Sequence, residues 1–275
     1  MDLATEDGRT PLLAACFRGH ADVARLLLDH KASVDLAKED GATPLFVACQ
    51  NGHVDVARLL LDHKASVDLA NNKGATPLYI ACSKGHVDIA RVLLDHNASV
   101  DLAQKNGWTP LYMACFNCHA DVARLLLDHK ASVDLAKKNG ATPLFMACQN
   151  GHVDVARLLL DHKASVDLAM EGGATPLFIA CQNSPVEVVD LLLAKGASLE
   201  RAMEGIGWTP LIVAAFCGHA AVMEKLLAAG ADRSAATTTE HTFDGSTTPA
   251  GLTALSVAEL RGHESGGGGA AALNA

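Results

Sequence analysis

This 275-residue chain has thirteen histidines and eight cysteines, the side chains in it that are best suited to bind a metal ion or to react as nucleophiles. Such side chains hold zinc when several of them lie within about 2 Å of one ion. Most of the histidines, however, fall into two series that advance mainly in steps of 33 residues. The two series are His20, His53, His86, His119, His152 and His219, and His30, His63, His96, His129 and His162. A fixed step keeps the members of a series apart, so we expect hydrogen bonds within turns for the first series and positions at helix C-termini for the second.

Six of the cysteines also recur at one position of a repeat, and they are Cys16, Cys49, Cys82, Cys115, Cys148 and Cys181. Packed helices lie roughly 8–10 Å apart, whereas a disulfide needs Cα atoms within about 7 Å. We therefore expect buried free thiols in a reducing compartment. Cys115 and Cys118 form one C-x-x-C, but it falls at a helix end rather than at the helix N-terminus that lowers a thiol pKa. A structural role is therefore favoured over a redox or zinc role.

Other catalytic signatures are incomplete. Gly205-Ile206-Gly207 lacks the third glycine and the preceding strand of a dinucleotide-binding fingerprint, and the sequence has no phosphate-binding loop. Asp55 and Arg58 recur in most copies of the repeat, and a repeated residue is a poor candidate for a unique active site. We predict that the chain is not an enzyme and that it uses no cofactor and no metal ion.

The elements that carry these residues repeat along the chain. A Thr-Pro-Leu triplet starts in steps of 33 residues, and then after one step of 34, at Thr10, Thr43, Thr76, Thr109, Thr142, Thr175 and Thr209. Thr43 suits a helix N-cap, Pro44 the first helical position and Gly52 the helix end. A second amphipathic helix follows, and dipeptides such as Asp40-Gly41 predict a β-turn finger between copies. Since two short helices cannot bury their apolar faces alone, the pattern predicts an all-α solenoid of stacked helix-turn-helix repeats.

Every copy reads T-P-L-x-x-A, and in this the chain resembles the ankyrin repeat family, whose signature is T-P-L-H-x-A at the same period. The resemblance covers about seven and a half repeats. An aromatic or aliphatic residue stands where the family has histidine. A lysine or asparagine stands where the family has glycine after the second helix, at Lys31, Lys64, Asn97, Lys130 and Lys163. A left-handed backbone at these positions strains each of them by roughly 1 kcal/mol.

Composition excludes several classes of partner. The net charge of -9 argues against a nucleic acid, because binding to nucleic-acid phosphates uses clustered cations. The chain has no run of 18 apolar residues, and Met1 to Asp7 lack the basic and apolar segments of a secretory leader. We therefore expect no membrane insertion and a cytoplasmic or possibly nuclear location.

The domain prediction follows the repeats. Ankyrin repeats one to seven span residues 1–232, a flexible polar insertion spans 233–250, a partial C-terminal capping repeat spans 251–263, and a disordered Gly/Ala-rich tail spans 264–275. The first repeat carries the apolar pattern of the internal repeats, with no polar version of its outward face. Either the chain is cut from a longer array, or this uncapped N-terminal repeat self-associates end to end.

Differences between the copies concentrate beside the Gly-x-Thr-Pro turn and at the end of the first helix. By the resemblance, these positions line the concave surface on which ankyrin repeats bind partner proteins. Trp108 with Phe116, and Trp208 with Phe216, are the predicted anchors, because aromatic residues are enriched in interface hot spots. The full predicted set of binding residues is Trp108, Phe116, Tyr79, Tyr112, Lys73, Lys84, Lys105, Asn106, Lys138, Trp208 and Phe216.

The predicted function is a non-catalytic scaffold for protein–protein interaction. The variable strip is acidic near Glu39 and basic near Lys73 and Lys105, so an acidic or mixed-charge peptide with an apolar anchor fits its middle, unless these charges are only solvated. One alternative is a targeting or regulatory module from a larger kinase, channel or ubiquitin-ligase adaptor. Another is an engineered or recently duplicated array without an evolved partner, because residues 41–70 and 140–169 differ at one position, Val47 against Met146.

Overall fold

The computed structural model of the chain describes residues 2–183, 185–243 and 245–262, which form fifteen helices and one β-hairpin. The chain divides into two compact units, Met1–Lys138 and Asn139–Ala275. The first unit contains α1 Pro11–Arg18, α2 Ala21–Asp29, α3 Pro44–Asn51, α4 Val54–Asp62, α5 Pro77–Lys84, α6 Val87–Asp95, α7 Pro110–Phe116 and α8 Ala120–Asp128. The second contains α9 Pro143–Gln149, α10 Val153–Asp161, α11 Pro176–Asn183, α12 Val186–Ala194, α13 Pro210–Cys217, α14 Ala220–Ala228, β1 His241–Phe243, β2 Ser246–Thr248 and α15 Ala254–Leu260.

The first helix of each repeat begins as the sequence predicts. The Thr43 hydroxyl accepts a hydrogen bond of 3.1 Å from the Phe46 backbone amide, and Pro44 occupies the first helical turn. The same cap is present at the Thr-Pro steps of the other repeats. It satisfies one of the amides that a helix start leaves without an intrahelical acceptor. Gly52, with φ of 84°, then ends the helix in a left-handed conformation.

The second helix ends on a left-handed residue that is not glycine. Lys64 has φ of 67°, and the amide of Ala65 reaches back to the carbonyl of Leu60 at 2.9 Å. The equivalent Lys31, Asn97, Lys130 and Lys163 also have positive φ, between 61° and 69°. These residues therefore carry the backbone strain expected of a left-handed conformation, because their Cβ atom crowds the following carbonyl.

Helices stack in two rows within each unit. In the first unit α1, α3, α5 and α7 form one row and α2, α4, α6 and α8 the other, and each first helix also packs on the second helix of its own repeat. The second unit repeats this scheme with α9, α11, α13 and α15 in one row and α10, α12 and α14 in the other. Leu45, Leu78 and Leu111 are fully buried between successive repeats. The expected all-α repeat fold with β-turn fingers is thus confirmed in each unit.

Two further contacts join successive repeats. The Asp35 carboxylate accepts hydrogen bonds from the backbone amide and the hydroxyl of Ser66 in the next repeat, at 3.0 and 2.6 Å. Asp68 and Ser99 make the same pair of bonds one repeat later. Backbone hydrogen bonds between neighbouring fingers add a second link, as where the Asn72 amide donates to the Asp40 carbonyl at 2.9 Å. The Ala-Ser-Val-Asp run that recurs in the sequence therefore connects neighbouring repeats.

The segment predicted as a flexible insertion contains the β-hairpin. Its strands pair antiparallel, with His241 opposite Thr248. The hairpin closes at its base where the Thr237 amide donates to the Leu252 carbonyl at 2.9 Å. Thr253 then caps α15, whose Ala254 and Val257 are buried against α13. Residue 263 of the predicted cap and the predicted tail, 264–275, lie outside the described residues.

Replacing Lys64 by glycine should raise the free energy of unfolding by about 0.5–1 kcal/mol, because glycine adopts a positive φ without a Cβ clash. Urea unfolding followed by far-ultraviolet circular dichroism measures the change. Lys84→Gly, at the end of α5, is the matched control. It should lower the free energy of unfolding by a similar amount, since a helical glycine there only adds freedom to the unfolded chain. Destabilisation by both substitutions would contradict strain at Lys64.

Candidate functional site

The first histidine series bridges neighbouring repeats. A ring nitrogen lies close to a carbonyl oxygen near the end of the preceding repeat's first helix, at 3.1 Å for His53 and Phe17, 3.2 Å for His119 and Ser83, and 2.9 Å for His219 and Gln182. The prediction of hydrogen bonds within the turn is therefore wrong for these three residues. A local sequence pattern does not predict this contact, because the carbonyl that each histidine meets lies about one repeat earlier in the chain.

The second histidine series ends helices, as predicted. Nδ1 lies within hydrogen-bond distance of the carbonyl oxygen four residues earlier, at 2.8 to 3.0 Å in His30, His96, His129 and His162. In each case the backbone amide of the same histidine also donates to that carbonyl, at 3.1 to 3.2 Å, so the ring and the amide share one acceptor at the helix end. Across the described residues, no group of three or more His, Cys, Asp or Glu side chains is arranged to hold a metal ion.

All eight cysteines lie in the described part of the chain, and all are free thiols. The six that recur at one repeat position are buried. Burial raises the pKa of the Cys16 thiol to about 12 and raises that of Cys49 and Cys82 further. Cys118 is exposed, and it has φ of 60° because it occupies the turn position that most repeats fill with glycine. The C-x-x-C pair thus combines one buried and one exposed thiol.

Two neighbouring fingers form the walls of a groove in the first unit. In residues 71–75, the Asn71 side-chain oxygen accepts from the amides of Lys73 and Ala75, both at 3.0 Å. In residues 104–108, the Gln104 amide donates to the Trp108 carbonyl at 3.0 Å and closes the base of the finger. These bonds fix the direction in which each finger presents its tip.

One backbone bond holds the two fingers together. The amide of Lys105 donates to the carbonyl of Lys73 at 3.1 Å. A Cβ atom added to Gly74, which has φ of 79°, would lie 3.0 Å from that same amide nitrogen. Glycine is therefore required at this turn both by its left-handed backbone and by the close approach of the next finger. The two lysines are consequently carried on adjacent and connected backbone segments.

The floor of the groove is aromatic. Tyr79 and Trp108 line it, and Trp108 stacks on Tyr112 with ring centroids 6.0 Å apart and an interplanar angle of 17°. Trp108 is partly exposed, whereas Tyr79 and Tyr112 are buried. Burial raises the pKa of Tyr112 to about 12, with Tyr79 adding to the effect, so both phenols are neutral near pH 7. We call this space of about 600 Å³, lined by Asn72, Lys73, Tyr79, Lys105, Asn106 and Trp108, the Trp108 groove.

Lys73 and Lys105 line this groove, and neither has a carboxylate partner among the described residues. The same holds for Lys84, Lys137 and Lys138. Lys137 instead places its ammonium 5.9 Å from the centre of the Tyr112 ring. Lys73 and Lys105 are exposed at the finger tips, and Asn106 is exposed beside them. The structure thus gathers several of the predicted binding residues around one groove, with Phe116, itself 42% exposed, at the end of α7.

The predicted Trp208 and Phe216 anchors lie elsewhere and are buried, with exposed fractions of 1% and 2%. Their ring centroids are 4.9 Å apart. His241 of the hairpin meets the edge of Trp208 at 5.8 Å, and the guanidinium of Arg261 lies 4.3 Å from the centre of the Phe216 ring. The prediction that these two aromatic residues are exposed anchors therefore does not hold in this structure, because the hairpin and the end of the cap cover them.

Sequence reasoning missed a second groove in the first unit. It has a volume of about 310 Å³ and is lined by Arg9, Phe17, Arg18 and Lys38 among others. Phe17 is 54% exposed, and the Arg18 guanidinium lies 5.7 Å from the centre of its ring. Phe17 follows Thr10 by seven residues, as Phe116 follows Thr109. Because Phe116 was a predicted anchor, its equivalent position in the first repeat could have identified Phe17 as well.

Comparison with known sequences finds a match to the profile of the ankyrin repeats (three copies). The matched segments are residues 1–71, 64–137, 130–203 and 174–237. No curated protein sequence matches. Within the described residues, none of the helices has both the length and the apolar character that crossing a membrane requires.

Among solved structures, the chain is similar to the human ASB11 ankyrin repeat domain, with 32% identity and a TM-score of 0.72. The match covers 82% of this chain and 99% of that one. It is also similar to the ankyrin repeat domain of Bcl-3, described as a unique member of the IkappaB protein family, with 28% identity and a TM-score of 0.69. That match covers 76% of this chain and 95% of the other.

A thiol reagent such as N-ethylmaleimide should modify Cys118 first and Cys217, which is partly exposed, more slowly. The six buried cysteines should react only after unfolding, because burial hinders both access and formation of the thiolate. Peptide mass spectrometry after timed labelling, with and without urea, measures the order. Modification of Cys82 in the folded protein at the rate of Cys118 would contradict the buried position of this series.

Proposed function

This chain belongs to the ankyrin repeat family, and we propose that it is a non-catalytic scaffold that binds a partner protein through the Trp108 groove. Ankyrin repeat domains are generally protein-interaction modules. The observation that carries the proposal is a partly exposed tryptophan beneath two exposed finger-tip lysines that have no carboxylate partner among the described residues. Such a combination favours binding, since a tryptophan surrounded by polar groups is a frequent hot spot of protein interfaces.

The chemistry of the groove supports binding rather than catalysis. Its tyrosines are neutral near pH 7, and the repeated cysteines are buried thiols. The net charge of -9 disfavours a nucleic-acid partner, and eight free thiols fit a reducing compartment such as the cytoplasm or nucleus. The remaining predicted residues, Phe116, Lys84 and Lys138, extend the proposed surface beyond the groove.

A paired pull-down tests the proposed surface. The native chain is compared with a variant in which Trp108, Lys73 and Lys105 are all alanine, and bound proteins are identified by mass spectrometry. We expect at least one protein to be retained by the native chain and reduced about tenfold or more on the variant, because truncation of interface anchors commonly costs more than 2 kcal/mol.

Lys64→Ala with Lys130→Ala is the control, since both lysines are exposed on another part of the same unit. This control should retain the partner, and melting of all three proteins should be similar because none of the changed side chains is fully buried. Equal recovery of every specifically bound protein from the native chain and the triple variant would refute binding through the Trp108 groove.

A second proposal is that the first repeat associates with a second copy of the chain. Val23 and Leu26 of α2 are 48% and 60% exposed, whereas the equivalent Val56 and Leu59 of α4 are 1% and 4% exposed. The difference arises because α4 packs against the preceding α2, while the corresponding face of α2 is uncovered in the described structure. A matching apolar face on a second copy is the proposed occupant.

Sedimentation velocity over a range of protein concentrations tests this association. The native chain should form dimers as concentration rises, and Leu26→Glu should shift the equilibrium about tenfold or more toward monomer, because it buries a carboxylate in an apolar contact. Leu69→Glu changes an exposed leucine elsewhere in the unit and should leave the equilibrium unchanged. A native chain that stays monomeric at several hundred micromolar would exclude this second proposal.

A further inference from the structure

We infer that the Trp108 groove takes an extended, carboxylate-rich peptide segment that seats one aromatic side chain on Trp108. This inference rests on the proposed function and adds the chemical class of the partner.

The charges of the Trp108 groove lack compensation. Lys73 and Lys105 stand on fingers joined by a single backbone hydrogen bond, so their ammonium groups project from neighbouring segments with no carboxylate partner in the described chain. Like charges held near each other repel, and a carboxylate placed between them relieves that repulsion. Lys137, with its ammonium 5.9 Å from the centre of the Tyr112 ring on which Trp108 stacks, adds a third positive charge. This local excess occurs on a chain whose net charge is -9, so it is not a general property of the surface.

The groove beside Phe17 gives the opposite arrangement. Arg9 pairs with Asp7 at 2.8 Å, and Lys38 pairs with Asp40. Two of the cations of that groove are thus neutralised by carboxylates of their own fingers. A carboxylate-rich ligand would have to displace these acids, whereas at the Trp108 groove it meets lysines that have no such partner. Charge complementarity therefore selects the Trp108 groove rather than the groove beside Phe17.

The spacing of the fingers fits an extended ligand. Stacked repeats lie roughly 8–10 Å apart, which corresponds to about three residues of an extended chain at a rise of about 3.3 Å per residue. Acidic residues separated by two or three positions can therefore reach Lys73 and Lys105 together. The exposed Asn106 side chain adds donors and acceptors at the rim for the ligand backbone.

The aromatic floor of the groove offers an apolar contact for one side chain of the ligand. Trp108 stacks on the buried Tyr112, which holds the indole in place while leaving it partly exposed. A ring held in this way loses little freedom when a ligand side chain packs on it. An aromatic side chain of the ligand thus gains area on Trp108 while its acidic neighbours face the lysines, and the groove of about 600 Å³ has room for such a side chain.

A defined peptide tests the inference. The probe is a fluorescein-labelled heptapeptide of six glutamates around one central phenylalanine, titrated with the full chain and followed by fluorescence anisotropy at low and at physiological salt. We expect saturable binding that weakens with salt and that falls about tenfold or more for Lys73→Glu with Lys105→Glu, because like charges then face each other. Lys64→Glu with Lys130→Glu makes the same change in net charge away from the groove and should alter the affinity less than about twofold.

The aromatic contact has its own comparison. Trp108→Ala should weaken binding of the phenylalanine peptide about tenfold, but should have little effect on a peptide with glycine in its place. Similar losses for both peptides would overturn the seating of an aromatic side chain on Trp108. A peptide with glutamine in place of glutamate should not bind, and tighter binding of that peptide would overturn the assignment of a carboxylate-rich ligand.

The outcomes also separate this inference from the proposed function. A partner whose retention depends on Trp108, together with a glutamate peptide that fails to bind, would overturn the carboxylate assignment and leave the scaffold function standing. A phosphoserine version of the peptide that binds tenfold more tightly than the glutamate version would assign the groove to phosphorylated segments and would likewise overturn it. Equal loss of peptide binding in the Lys73/Lys105 and Lys64/Lys130 variants would show only non-specific attraction and would refute the site.

Discussion

The structure depends on the burial of each repeat against its neighbour. A pair of helices of seven to nine residues has an apolar face that only another such pair can cover. Residues that recur at each step serve this contact, including the fully buried leucines of the first helices, the histidines that reach the preceding repeat, and the aspartates that hold the next serine. Because these contacts are identical in kind from repeat to repeat, few positions remain free to vary.

The free positions are the ones that form the candidate site. A finger needs a glycine with positive φ, a bond across its base and a bond to the next finger, but the lysine side chains at its tip, Lys73 and Lys105, are exposed. Equivalent regions of different repeats therefore carry different charges, with a glutamate at Glu39 and lysines at Lys73 and Lys105, and the packing of the repeats is unchanged. Stability and the proposed recognition thus use different residues of the same short unit.

The sequence predicts those features that depend on contacts between residues close together in the chain, and it fails for features that depend on distant residues. Thr43 as a helix cap and Gly52 as a helix end follow from residues within one turn, and both are present. Trp108 and Trp208 have the same local sequence, Gly-Trp-Thr-Pro, yet one is partly exposed and the other is buried. The difference comes from a hairpin more than thirty residues farther along, which local patterns do not place. The carbonyl partners of the first histidine series were not predicted either, because they also lie more than thirty residues away in the chain.

The unlike surroundings of the two tryptophans give the molecule two built-in spectroscopic reporters. Trp108 in the first unit borders solvent and the lysine-rich fingers, while Trp208 in the second is enclosed by the hairpin and the cap. An indole in water emits at longer wavelength and is quenched by small solutes more readily than an enclosed one. Intrinsic fluorescence therefore distinguishes an event at the fingers from an opening of the cap, without any label attached to the chain.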